Sequence, residues 1–150
     1  MGKQRKVHGR YKNVLTVPIP AESTWTCGYR EIFETVALPF LINNNDDEEE
    51  EEKWIPDLII VCAGYDALDS DELASCNLIA KNFGDMTRML KNKMASLDVE
   101  EEEEEEEVER NKIPRKKPAL MFGLEGGYQL KDGAAGGNLA DAFLETLRAL

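Results

Sequence analysis

The chain has 150 residues, 42% of them hydrophobic, and a formal net charge of −12. That length makes one domain or a piece of one, and no apolar run approaches the roughly 20 residues that span a membrane. The basic start, Met1-Gly2-Lys3-Gln4-Arg5-Lys6, leads into no apolar stretch, so it does not read as a secretory signal, and Lys6 breaks a myristoylation pattern.

The acidity is local. Residues 46–52 are seven consecutive acids, and Asp98, residues 100–107 and Glu109 add ten more. Setting those 17 aside leaves 13 acids against 18 Lys and Arg, a balance of +5. Runs of one sign repel themselves and stay solvated, so both blocks read as low-complexity loops, at about 43–53 and 98–117. Cys27, Cys62 and Cys76 form no CxxC pair, which suits a reducing intracellular compartment, nucleus or cytoplasm.

Taken in chain order, residues 13–20 carry Val14, Leu15, Val17 and Ile19 and end on Pro18 and Pro20, which predicts a strand entering a turn. Tyr29, Ile32, Phe33, Val36 and Phe40 recur at helical spacing and predict a helix over about 28–41, bent or ended by Pro39. Residues 57–63 are nearly all apolar, as in a parallel strand covered on both faces. Ile79, Phe83, Met86, Leu90 and Leu97 predict a second helix. After the second acidic block and its basic tail, residues 119–124 predict a third strand. Leu139, Phe143, Leu147 and Leu150 predict a last helix with Asn138 as its N-cap.

Strand and helix alternate three times, the pattern of an α/β domain with a parallel sheet. The acidic blocks fall in helix-to-strand connections, at the edge of the sheet opposite the strand ends that bear Asp66 and Tyr128. Three strands leave at least one apolar strand with an unpaired edge, so the chain is expected to be part of a larger fold or to need a partner.

Two motifs stand where α/β sheets build their sites, just past apolar strands. The first is Ala63-Gly64-Tyr65-Asp66-Ala67. On position alone Asp66 reads either as a turn or helix cap or as a hard oxygen ligand for a metal. The second is Leu124-Glu125-Gly126-Gly127-Tyr128. Gly126 and Gly127 let a substrate approach the backbone closely. The Tyr128 phenol is either a packed turn residue or a hydrogen-bond donor to a developing oxyanion.

Together these motifs resemble the C-terminal portion of a zinc-dependent histone deacetylase, of the deacetylase and acetoin-utilisation superfamily, with a lean to its class II branch. Val17-Pro18-Ile19-Pro20, the helix around Tyr29-Arg30-Glu31, and the segment Asp69-Ser70-Asp71-Glu72-Leu73 extend the resemblance over most of the chain outside the acidic blocks. It implies a three-layer α/β/α fold of the arginase and deacetylase type. It implies that Asp66 binds the catalytic Zn2+ and that Tyr128 polarises the acetamide carbonyl. It also implies that Leu73, Gly126 and Gly127 line the substrate channel, although Leu73 also fits a plain loop-to-core contact. The implied reaction is hydrolysis of N-acetyl-lysine, in histones or other proteins, by a zinc-activated water.

The sequence departs from the pattern where Tyr65 stands for the usual Phe, Ser70 for Gly and Glu72 for Pro. More consequentially, His8 is the one histidine, and position 6 is Lys, so His8 belongs to no Asp-x-His pair. The other two zinc ligands and the catalytic His pair are expected to come from an upstream segment, and the chain alone is expected to be inactive. The alternative from another class is a non-catalytic module, or a degenerate remnant, whose acidic loops hold basic histone tails. Neither a membrane nor nucleic acid is an expected partner.

Overall fold

The computed structural model describes residues 6–8, 10, 13–42, 55–105, 118–133 and 137–150, with side chains left out at 6–8 and 97–105. Residues 43–54 and 106–117, which hold most of the two acidic blocks, lie outside the described set.

Two strands open the chain, β1 (Lys6–His8) and β2 (Val14–Thr16), paired antiparallel with His8 opposite Val14. The expected strand at 13–20 is therefore shorter than its apolar residues suggest, and it forms a hairpin instead of joining a parallel sheet. The reason lies in Pro18 and Pro20, which have no N–H to continue a ladder.

Next comes a helical stretch built from a π-helical turn (Trp25–Tyr29), α1 (Arg30–Ile32), a second π-helical turn (Phe33–Ala37) and α2 (Leu38–Leu41). It starts earlier than the apolar spacing predicts, because Thr24 caps it, its hydroxyl accepting from the Cys27 N–H at 3.1 Å. Cys27 and Gly28 leave helical geometry, Gly28 at φ +92°, so the first turn is offset from the rest. Pro39 does not end the helix. The Leu38 N–H reaches back to the Phe33 carbonyl, a wider turn that relieves the crowding a proline ring brings, and Pro39 falls in the first turn of α2, where no N–H is needed.

The sheet that positions the site consists of β3 (Leu58–Gly64) and β4 (Ala119–Gly126), parallel and in register from Leu58 opposite Ala119 to Ala63 opposite Leu124. A bulge at the end pairs Gly64 with Gly126. Between them runs α3 (Ala80–Glu105), and α4 (Leu139–Ala149) closes the described chain. Parallel strands joined through helices make this an α/β fold, as the alternation predicts. Asn138 caps α4 as expected, accepting from the Ala140 and Asp141 N–H groups, while Asp141 accepts from the Asn138 N–H.

One boundary differs. The loop expected from residue 98 begins as helix, since α3 continues to Glu105. Glutamate is a good helix former, and the amphipathic first half of α3 has already met the cost of nucleation.

Two clusters make the core. Tyr65, Leu68, Leu78, Phe83 and Ala142 bury one beneath the C-terminal end of β3. Leu38, Ile59, Leu90 and Met94 bury the other between the helices and the sheet. Both lie on the sheet face that carries Ile59, Val61 and Leu120. The opposite face is open, with Leu58, Cys62, Ile60 (58% exposed) and Met121 (55% exposed) turned outward. The sequence predicts a strand covered on both faces. Among the described residues only one face is covered, because the helices all pack on the same side.

Candidate functional site

The ends of β3 and β4 lie against each other. The Tyr65 N–H donates to the Gly126 carbonyl at 2.9 Å, which locks the two motifs in fixed register. Tyr65 itself points inward. Its ring packs 4.9 Å from Phe83 and its hydroxyl donates to Thr146 Oγ1 at 3.0 Å. Because side chains alternate at a strand end, burying Tyr65 turns Asp66 outward, where it is exposed.

The glycines fit that carboxylate closely. A Cβ on Gly64 would sit 2.9 Å from Asp66 Oδ1, and one on Gly126 would sit 3.8 Å from Asp66 Cγ. Gly127 has φ +89°, and a Cβ there would fall 2.7 Å from the Tyr65 carbonyl carbon and 2.9 Å from the Asp66 nitrogen. Only a residue without a side chain lets β4 turn across the Asp66 backbone at this point. The turn delivers Tyr128, 80% exposed, to the same end of the sheet.

The loop after Asp66 is well anchored. Leu68 and Leu78 are buried and form a parallel bridge, with the Asp69 N–H donating to the Leu78 carbonyl at 2.9 Å. Asp71 is buried and its Oδ1 accepts from the Leu73 N–H at 2.8 Å. This Asx turn sets the loop where Ser70 and Glu72 replace the residues of the family pattern. It leaves Leu73 85% exposed, which removes the plain core-contact reading. Residues 22–24 are stitched onto the same loop, Glu22 N–H to the Ser75 carbonyl and Asn77 N–H to the Ser23 carbonyl.

That stitching brings in two groups the sequence pattern does not single out. The Tyr29 phenol is pushed above its ordinary value by burial, then by the charges of Cys76 and Asp66. The Cys76 thiol is likewise pushed up, by burial and then by Asp66. Asp66 thus places its negative charge at an end of the sheet shared with a phenol and a thiol. Tyr29 reads from its spacing as an ordinary core residue, and Cys76 carries no motif at all.

A hydrolytic zinc site needs three protein ligands and an open position. Among the described residues no three His, Cys, Asp or Glu side chains converge to hold a metal. Asp66 is one exposed carboxylate, so the residues present do not by themselves fit a zinc ion. No described helix is long and apolar enough to cross a membrane.

The α/β unit thus sets two strand ends side by side, one followed by an exposed carboxylate and the other by a Gly-Gly-Tyr turn. Residues 2–144 match the histone deacetylase domain, and the chain belongs to that family. It is 34% identical over 142 residues to the uncharacterized protein slr0245 of Synechocystis, covering 95% of this chain and 34% of that protein. It is 32% identical over 75 residues to the histone deacetylase HDA1 of Saccharomyces cerevisiae, covering 46% of this chain and 9% of HDA1. The chain therefore spans about a third of the cyanobacterial relative and less of the yeast one. The family is generally zinc-dependent and acts on acetylated lysine.

Proposed function

We propose that this chain supplies the Asp66 and Tyr128 part of a protein lysine deacetylase site. Asp66 serves as one ligand of a zinc ion whose other ligands come from polypeptide outside this sequence, and bound zinc would activate the hydrolytic water. Tyr128 donates its phenol hydrogen to the acetamide oxygen as charge develops there. Gly126 and Gly127 leave room for the acetyl-lysine, and Leu73 borders its channel. Acetylated lysine in histones or other proteins is the substrate, and the products are acetate and the free amine. The observation that carries this reading is the Tyr65–Gly126 hydrogen bond, which fixes the Asp66 and Tyr128 motifs side by side.

The test joins this chain to the part of slr0245 that lies outside the aligned region. The joined protein should hold about one zinc per molecule and release acetate from an acetyl-lysine peptide, and this chain alone should do neither. Asp66→Ala should lose the metal. Tyr128→Phe should keep it and slow turnover by roughly a hundredfold. A joined protein without zinc, or an Asp66→Ala variant at full rate, overturns the assignment.

A further inference from the structure

Beyond Tyr128 the chain does not run straight into α4. It makes a loop whose two ends meet, the Leu139 N–H donating to the Gln129 carbonyl at 3.1 Å. Within it the Gly133 N–H donates to the Gly137 carbonyl at 3.0 Å, and Asn138 Nδ2 donates to Asp132 Oδ1 at 2.9 Å. Asn138 is also the N-cap of α4. One side chain therefore closes the loop with its nitrogen and starts the helix with its oxygen.

The loop also rests on the other half of the site. A Cβ on Gly133 would fall 1.8 Å from Asp69 Oδ1 and 2.5 Å from Asp69 Cγ. Gly133 is not at positive φ, so the contact and not the conformation demands a glycine there. Asp69 follows Asp66 by three residues, and its own N–H is held by the Leu78 carbonyl at 2.9 Å. The end of the loop is seated too, since a Cβ on Gly137 would fall 2.8 Å from Ala80 Cβ at the start of α3.

The Tyr128 side chain is 80% exposed, so packing does little to orient it. The backbone on either side decides where the phenol stands. Ahead of it, the Tyr65–Gly126 bond ties β4 to the segment that carries Asp66. Behind it, Gln129 is tied through the loop to α4, and the loop is seated on Asp69. A group that donates to a developing oxyanion must be held to a fraction of an ångström.

We propose that Asp132 and Gly133 are positioning residues for Tyr128, fastening the loop behind it to α4 and to the Asp66–Asp71 segment. The role in turnover rests on the proposed deacetylase reading, but the fastening of the loop does not.

The fastening is tested on the full chain alone by hydrogen exchange. Asp132→Ala should make the Gly133 and Leu139 amides exchange roughly fivefold faster, as the loss of one hydrogen bond implies. Asp132→Asn keeps an acceptor oxygen and should restore the parent rate. Turnover is read in the chain joined to the unaligned part of slr0245. There Asp132→Ala and Gly133→Ala should each lower kcat about tenfold, with KM and zinc content at the parent values. Asp132→Asn should recover kcat. Adding Asp69→Ala to Gly133→Ala removes the carboxylate that the new methyl would strike, so the double variant should turn over faster than Gly133→Ala alone. Unchanged exchange in Asp132→Ala overturns the fastening. Parental kcat in Asp132→Ala and Gly133→Ala overturns the positioning role and leaves the deacetylase reading standing. Equal losses in Asp132→Ala and Asp132→Asn, or loss of zinc in either, also overturn that role. A joined parent that neither holds zinc nor turns over overturns the deacetylase reading and the positioning role with it.

Discussion

At the scale of single residues, the hydroxyl of Tyr65 has a purpose that the motif alone does not reveal. The family pattern favours Phe at this position, yet here the phenol is buried and donates to Thr146, which in turn donates to the Ala142 carbonyl. The bond ties the motif before Asp66 to α4. Tyr65→Phe removes the donor but leaves the Thr146 hydrogen satisfied, so it should cost about 1 kcal/mol of stability. Urea unfolding of the two proteins measures this, and equal midpoints would show that the bond contributes nothing. The positions of Asp66, Gly126, Gly127 and Tyr128 at the ends of β3 and β4 are legible because each belongs to an ordered motif that closes an apolar run. Cys76 is not, because the charge of Asp66 reaches it only through the loop that the Asp69–Leu78 and Leu78–Ala67 backbone bonds close. No local pattern encodes that pairing.

Among the elements, β3, β4, α3 and α4 were legible for the same reason: each has enough apolar residues at one period to outweigh its neighbours. The β1–β2 hairpin is not legible, because its strands are three residues each and β1 carries a lysine in place of an apolar pattern. The end of α3 is hidden in the sequence because a charge run and a helix are not exclusive. How α3 meets α4 is also invisible in the sequence. A Cβ on Gly84 would fall 2.8 Å from the Glu145 carbonyl oxygen, so the two helices touch through that glycine. Gly84→Ala gains helix propensity but forces the helices apart, and a net loss of about 1–3 kcal/mol is expected. A variant that melts higher than the parent would show that α4 can yield.

The first turns of α3 also carry a pH signature. Burial alone would raise the Asp85 carboxyl, but hydrogen bonds from Arg88 at 2.6 Å and Lys81 at 3.2 Å outweigh it and hold the group below its ordinary value. A carboxyl that binds its proton more weakly in the folded state stabilises the fold above its unfolded pKa. That contribution fades as pH falls through the lowered folded value. Asp85→Asn should therefore melt below the parent at neutral pH, and the gap should close on acidification beneath about pH 4. A gap that stays constant down to pH 2 would mean the ion pairs are too well solvated to matter.

For the molecule as a whole, each acidic block precedes a strand of the sheet in the chain, and the candidate site residues follow those strands. α2 ends before the first acidic block and α3 ends inside the second, while β3 and β4 begin after them. Asp66 and Tyr128 follow the far ends of those strands. A seven-residue strand spans roughly 23 Å, about three Debye lengths at physiological salt. The start of β3 therefore lies several screening lengths from Asp66. With a net charge of −12, self-repulsion weakens the compact state most at low ionic strength. The melting temperature should rise when salt goes from about 10 mM to about 150 mM, as the screening length falls from about 30 Å to about 8 Å. Replacing the eight glutamates at 100–107 with glutamine should flatten that rise, and it should raise the low-salt melting temperature. Thermal melts of both proteins at the two salt concentrations decide the matter. The same salt response in each would place the repulsion elsewhere than in this block.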